Sequence, residues 1–274
     1  MQLITLIDPT ANARVTIAPD RGAIVTSFAV DGRELLYMDH ATLADRSKNV
    51  RGGIPILFPI AGKLANDSWQ HGNRSGAMSQ HGFGRQLAWH VLSTTESKVS
   101  FELRSSASTL SQYPWPFAAV LTYSLTGARL HTSLCVSNLG GEGLPLALGY
   151  HPYFVVTDKT KAKIATNASQ CFNNVTKQQE LFNGFDFTSS EVDVHLLDQK
   201  SNASTLTLGM EKITVTASDD FGVWVIWTLG GKDFICLEPW TSPGNALNSG
   251  DRLIQVAPRD SHESWMAIEY LPAT

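Results

Sequence analysis

The chain has 274 residues, 43% of them apolar and 17% charged, with a formal net charge of −4. This balance excludes a disordered chain and a membrane-embedded one, and it predicts no broad basic face for nucleic acid. A β architecture of this length commonly forms one unit, so a single domain over residues 1–274 is expected.

The first residues, Met1 to Asp8, carry no basic lead and no long apolar core. Neither a signal peptide nor a membrane span is predicted there, and a cytoplasmic location without membrane partners is expected. Cys135, Cys171 and Cys236 are scattered, odd in number and without metal-ligand spacing, which reads as reduced structural thiols.

In chain order, Ala13–Ile17 alternates apolar and polar residues, Ala23–Val30 is rich in β-branched residues, and Asp31-Gly32 marks a hairpin turn before Arg33–Tyr37. Residues 39–50 show no period and read as a loop. Arg51-Gly52-Gly53-Ile54-Pro55-Ile56-Leu57-Phe58-Pro59 is a stiff extended piece, framed by two prolines and freed at its start by two glycines. A loop rich in Ser, Gly and Asn follows up to Met78. Ser79-Gln80-His81-Gly82-Phe83-Gly84-Arg85 then brings a histidine and an arginine close together on glycine-rich backbone that disfavours helix.

From Trp89 onward the pattern is almost wholly β. Ala118–Leu125 and Arg129–Ser137 flank a turn at Thr126-Gly127. Leu144–Leu148 runs into Gly149-Tyr150-His151-Pro152-Tyr153-Phe154, which puts His151 at or just past a strand end. Residues 158–184 are polar and read as a long excursion over one rim. Strands resume at Phe187–His195, Ser204–Leu208 and Ile213–Ala217. Val223–Leu229 and Phe234–Trp240 form a hairpin around Gly230-Gly231, and Arg252–Val256 and Glu263–Leu271 close the chain. Strands recurring at short intervals, with no long amphipathic helix, predict an all-β fold, a large antiparallel β-sandwich.

Two residues invite acid/base chemistry. His151 sits among aromatics, where a histidine is either a packed core residue or a proton donor. Glu238 ends an apolar strand, pinned between Leu237 and Pro239. It is either one half of an ion pair or a carboxylate desolvated enough to act as a base. The chain offers no nucleophile elbow, no phosphate-cradling loop and no metal-ligand spacing, so no metal and no cofactor are expected. An acid and a base without these suit the opening and closing of a cyclic hemiacetal. The base takes the anomeric hydroxyl proton while the acid protonates the ring oxygen.

Four motifs in order, Arg51-Gly-Gly-Ile-Pro…Phe58-Pro59, His81-Gly-Phe-Gly-Arg85, His151-Pro-Tyr-Phe154 and Leu237-Glu-Pro-Trp240, resemble the aldose 1-epimerase (galactose mutarotase-like) superfamily. The resemblance runs over nearly the whole chain and lies nearer the hexose-6-phosphate 1-epimerase-like branch. It implies a β-supersandwich with a small-molecule sugar, a hexose or hexose phosphate, bound in an open groove. It also implies His151 as general acid, Glu238 as general base, and Arg51, His81, Arg85 and Asp193 as sugar-binding residues. Two departures stand out. Lys63 takes a place where galactose mutarotases usually carry arginine, and Phe58-Pro59-Ile60-Ala61 is less aromatic than in the phosphate-specific branch. Arg51, Lys63, Arg74 and Arg85 are the cations open to a phosphate. The competing readings are a hexose-6-phosphate 1-epimerase, a non-catalytic carbohydrate-binding protein, and a glycosidase using Asp193 and Glu238. A metal site made of His81, His151 and Glu238 is disfavoured by their spacing.

Overall fold

In the computed structural model, which describes residues 1–273, two antiparallel sheets of eight strands each dominate. One runs in the order Ala162–Ala165, Ala203–Leu208, Glu211–Ala217, Ser261–Leu271, Arg129–Asn138, Phe117–Thr126, Lys98–Arg104, His90–Thr94. The other runs Gln178–Leu181, Gln170–Asn173, Glu191–Leu196, Val223–Leu229, Phe234–Trp240, Gly149–Tyr150, Ile56–Leu57, with Tyr153–Val155 also paired to Phe234–Trp240. A four-stranded sheet of Ile4–Asp8, Ala13–Ala18, Ile24–Val30 and Arg33–Glu34 packs alongside. The expected all-β sandwich is therefore the fold.

Strand period sets which side chains meet. Along Arg129–Asn138 burial alternates residue by residue, as it does along most of its partner Phe117–Thr126. The inward set (Tyr123, Leu130, Leu134) joins Leu196, Trp224, Ile226, Ile235 and Leu237 of the second sheet in one core. Phe234–Trp240 departs from alternation because all seven residues are buried. Ile235 and Leu237 enter the shared core, and Phe234, Cys236, Glu238 and Trp240 fall on the opposite face. That face has apolar cover of its own, around Tyr153, Phe234 and Cys236 on one side and Leu57, Val223, Val225 and Trp240 on the other.

Three segments differ from the sequence expectation. Residues 158–184 are not an irregular excursion, since they hold the strands Ala162–Ala165, Gln170–Asn173 and Gln178–Leu181. The last is exposed at every residue. Its backbone pairs while its side chains stay in water, so no hydrophobic alternation betrays it. Residues 68–77 form a hairpin, Ser68–His71 against Arg74–Ala77. Residues 40–44 form a short helix whose first turn is capped by Asp39, which accepts from the N–H groups of Ala41 and Thr42.

The helix and the loop after it are fixed by Arg21. Its guanidinium is 5% exposed and donates to the carbonyls of Thr42, Asp45 and Lys48 at 3.0, 3.2 and 3.0 Å. The Thr42 hydroxyl accepts from the Arg51 backbone N–H at 2.9 Å, so this stitching ends at a candidate site residue. Gly53 locks the next step. It has φ +64°, its N–H donates to Tyr37, and its carbonyl accepts from Tyr153. A Cβ at this position would lie 2.1 Å from the Val25 carbonyl oxygen. Gly53→Ala is expected to lower stability by at least about 2 kcal/mol through strain and clash, read as a lower urea midpoint with an unchanged slope.

Candidate active site

The outward face of the second sheet forms the wall of a cavity of about 870 Å³. That lies within the roughly 300–1,000 Å³ of small-molecule sites. Arg51, His81, Arg85, His151, Asp193 and Glu238, brought from five separate parts of the chain, all line it.

His151 directly follows the two-residue strand Gly149–Tyr150, and its backbone N–H donates to Pro55. Its ring stacks on Tyr153, with centroids 4.6 Å apart and planes 8° from parallel. Glu238 comes from the neighbouring strand. Its Oε1 lies 3.3 Å from His151 Nε2, and its Oε2 accepts the Trp240 indole N–H at 3.0 Å. Trp240 can do this because it is two residues on, on the same face of the strand. The imidazole and the carboxylate therefore touch each other on one wall, rather than facing each other across the hollow. Both are nearly shut off from bulk water, at 7% and 1% exposure, and the cavity is what reaches them.

Burial moves the two groups in opposite directions. It pushes the Glu238 carboxyl well above its ordinary range, and the Asp193 charge adds to this, against the pull of Trp240 and Arg85. It holds the His151 imidazole well below its ordinary range, helped by the charges of Arg85 and Arg51. In water an imidazole outcompetes a carboxyl for a proton by roughly two pK units. These shifts work against that preference and move the balance of the pair toward the proton on Glu238.

His81 has φ +68° in its glycine-rich loop. Its backbone N–H donates to the Gly62 carbonyl at 2.8 Å, and its Nδ1 accepts the Gly62 N–H at 3.0 Å. Burial first, and the Arg85 charge second, keep this ring neutral. With Nδ1 used as acceptor, the proton sits on Nε2, which is left as a donor. Arg85 donates to the Gln80 carbonyl at 2.9 Å, and its buried Nε has no partner. Burial lowers its pKa to about 10, which leaves it charged at neutral pH. Arg51 stands over the Trp227 ring, 5.3 Å from the centroid, a cation–π contact.

Asp193 lies opposite Trp227 in the sheet register. Its Oδ1 is 3.1 Å from His195 Nε2, and its Oδ2 accepts from Asn174 Nδ2 at 2.6 Å. Of the cations open to a phosphate, Lys63 lies on the cavity rim near Asp67, at 3.9 Å. Arg74 does not join the site. It pairs with Glu142 at 2.8 Å and stands over Trp115, 5.4 Å from the ring centroid. Among the described residues, His151, Cys236 and Glu238 are the donors that could hold a metal, with one ligand atom from each within 4.8 Å of the others. The thiol suits a metal poorly, because burial and the Glu238 charge hold it well above its ordinary range and a ligand must be a thiolate.

His195, Asn174 and Trp227 also line the cavity, and motif reading gave them no role. His195 could have been found from spacing alone. It follows Asp193 by two in a strand and so shares its face. Asn174 could not, because only the folded hairpin of residues 170–181 brings it over Asp193.

An open cavity on one sheet of a β-sandwich, lined by a touching imidazole and carboxylate and several polar side chains, defines a β protein with a small-molecule acid/base site. The profile of the aldose 1-epimerase family matches residues 2–269, and the chain belongs to that family of isomerases. The Slr1438 protein of Synechocystis sp. PCC 6803 has 35% sequence identity and a TM-score of 0.95, over 98% of this chain and 95% of that one. A galactose mutarotase-like protein from Lactobacillus casei shares the fold at a TM-score of 0.80 and 23% identity, over 98% and 100% of the two chains. A Cenchrus ciliaris protein, provisionally named a glucose-6-phosphate 1-epimerase, is 26% identical over 239 residues, which are 82% of this chain and 67% of that one.

The buried pair ties stability to pH in a checkable direction. The Glu238 pKa is raised in the folded protein, so its contribution is fully present below the unfolded value of 4.5 and is lost as pH rises through the folded value. Glu238→Gln is neutral at every pH and escapes this loss. Its Tm is expected to exceed that of wild type at about pH 8, with the gap shrinking toward about pH 5. Calorimetric melts of both proteins across that range check it, and a gap that does not depend on pH contradicts the shift.

Proposed function

We propose that this isomerase interconverts the α and β anomers of a free hexose, with Glu238 as general base and His151 as general acid. The observation that carries this reading is the 3.3 Å contact between His151 Nε2 and Glu238 Oε1 on a cavity wall. The anomeric hydroxyl oxygen and the ring oxygen of a hexose are bonded to the same carbon. They are therefore spaced for an acid and a base that are themselves neighbours.

The reaction starts with the pair's proton on His151 and Glu238 ionised. Glu238 removes the anomeric hydroxyl proton as the C1–O5 bond breaks, and His151 protonates O5. The aldehyde is left open, with His151 neutral and Glu238 protonated. Rotation about C1–C2 presents the other face, and the same transfers run backwards. The two protonation states of the cycle contain the same number of protons and differ only in which group holds the shared one. The opposed shifts of the two groups favour transfer of the proton to Glu238 more than their ordinary values would. His81 Nε2–H, Arg51 and Arg85 supply donors to sugar oxygens, and Asp193 acts on the sugar side through its partner His195.

Charge favours an unphosphorylated sugar. Arg51, Lys63, Arg85 and Lys177 line the cavity, but so do Glu191, Asp193, Glu238 and Asp251. Lys177 is held by Asn174 at 2.7 Å. A phosphate wants a cluster of cations without competing carboxylates. The second reading, a hexose-6-phosphate 1-epimerase, draws on the name given to the Cenchrus relative. A glycosidase is disfavoured because both Asp193 oxygens already accept from protein groups. Among the described residues no helix is long and apolar enough to cross a membrane, and the three cysteines are free. This supports a reduced, cytoplasmic setting, and we include it in the proposal with one domain over 1–274 and neither nucleic acid nor membrane as partner.

The test follows α/β equilibration by polarimetry, with glucose and glucose 6-phosphate in parallel. Faster equilibration is expected for glucose. Acceleration confined to the phosphate would reverse the preference, and none with any aldose would remove both readings. Glu238→Gln and His151→Asn are each expected to lower kcat by about 10²–10⁴-fold. The rate of the wild type should follow a bell-shaped pH profile, falling at low pH as the pair gains a second proton and at high pH as it loses the first.

A further inference from the structure

We propose that His195 is a specificity-determining residue that meets the sugar directly, accepting a hydrogen bond from one hydroxyl at Nδ1, while Asp193 is the positioning residue that makes it an acceptor. This rests on the sugar-site reading above and assigns that site a selector. Asp193 is poorly placed to bind sugar itself. Its Oδ1 is engaged by His195 Nε2 at 3.1 Å and its Oδ2 by Asn174 Nδ2 at 2.6 Å. Each oxygen thus already carries one protein donor, which leaves an incoming hydroxyl a second lone pair at most.

What the pair offers the cavity is the other side of the imidazole. A carboxylate oxygen accepts, so Asp193 selects the ring tautomer that carries its proton on Nε2 and keeps a lone pair on Nδ1. Among the described residues, Nδ1 has no hydrogen-bond partner in the protein, and it is not one of the orphaned buried atoms. It is therefore open to the cavity that His195 lines. The ring is also held in place. It meets Trp240 edge-on, with centroids 5.2 Å apart, and Phe172 at 6.0 Å. In the sheet register His195 pairs with Val225, and Val225 pairs with Glu238. The imidazole thus stands two strands from the base, about 9–10 Å at ordinary strand spacing.

The remaining donors assigned to the sugar, His81 Nε2, Arg51 and Arg85, can only give hydrogen bonds to it. A hexose hydroxyl also has a hydrogen to give. His195 Nδ1 is a neutral acceptor able to take it, held rigidly by its ring packing, so it distinguishes sugars by whether a hydroxyl is present at that place.

The test measures calorimetric binding of glucose and its 2-, 3-, 4- and 6-deoxy analogues to wild type and to His195→Phe, which keeps the ring packing and removes the acceptor. One analogue is expected to bind wild type at least about tenfold more weakly than glucose, and His195→Phe should bind that analogue and glucose equally. Discrimination that survives the substitution, or one uniform loss across all five sugars, overturns the proposal. Nitrogen-15 NMR of the imidazole reads the tautomer independently of sugar affinity. The proton is expected on Nε2 in wild type and on Nδ1 in Asp193→Asn, whose amide can donate to Nε2. Wild type with its proton on Nδ1 overturns the proposal by itself. Sugar bound with this selectivity but never equilibrated would sink the epimerase reading and leave the assignment of His195 intact.

Discussion

A carboxylate and an imidazole held in contact away from water are the constraint around which this protein is built. Separately, each would resist burial in its charged form. Burial moves Glu238 up and His151 down, and in contact the two can hold one proton between them. The fold protects the contact from several directions. Trp240 occupies the second carboxylate oxygen, Tyr153 stacks beneath the imidazole, and Arg51 and Arg85 set the local charge. Stability is given up here at neutral pH, which is a common property of sites tuned for proton transfer.

The second sheet carries this arrangement because it has two working faces. Most sheets of a sandwich bury one face and wet the other. In Phe234–Trp240 both faces are covered, one by the core and one by the cavity wall. A period of two then sorts the strand cleanly, with Leu237 in the core and Glu238 on the cavity side. The same rule sets Asp193 and His195 on the cavity side while Val192 and Leu196 are buried. Segments off the sheets finish the site. The loop stitched by Arg21 delivers Arg51, and the glycine-rich turn clamped against Gly62 delivers His81.

Much of this was readable in advance, for physical reasons that differ by segment. The hairpins around Asp31-Gly32, Thr126-Gly127 and Gly230-Gly231 announce themselves because turn residues and flanking alternation are local properties. The strand Gln178–Leu181 and the hairpin Ser68–His71 with Arg74–Ala77 do not. Their strands are held by backbone pairing and leave little apolar pattern. Arg74 is instructive in the other direction, since a cation free for phosphate in sequence is bound to Glu142 and Trp115 in space.

By itself the sequence determined the β architecture and the residue types available for proton chemistry, because strand period and turn chemistry act over a few neighbours. The tertiary structure alone decided that His151 and Glu238 touch, that each Asp193 oxygen meets a protein donor, and that His195 lies against Asp193 on the cavity wall. Those facts depend on pairings between strands far apart in the chain, and on how much water each group loses when the sheets close.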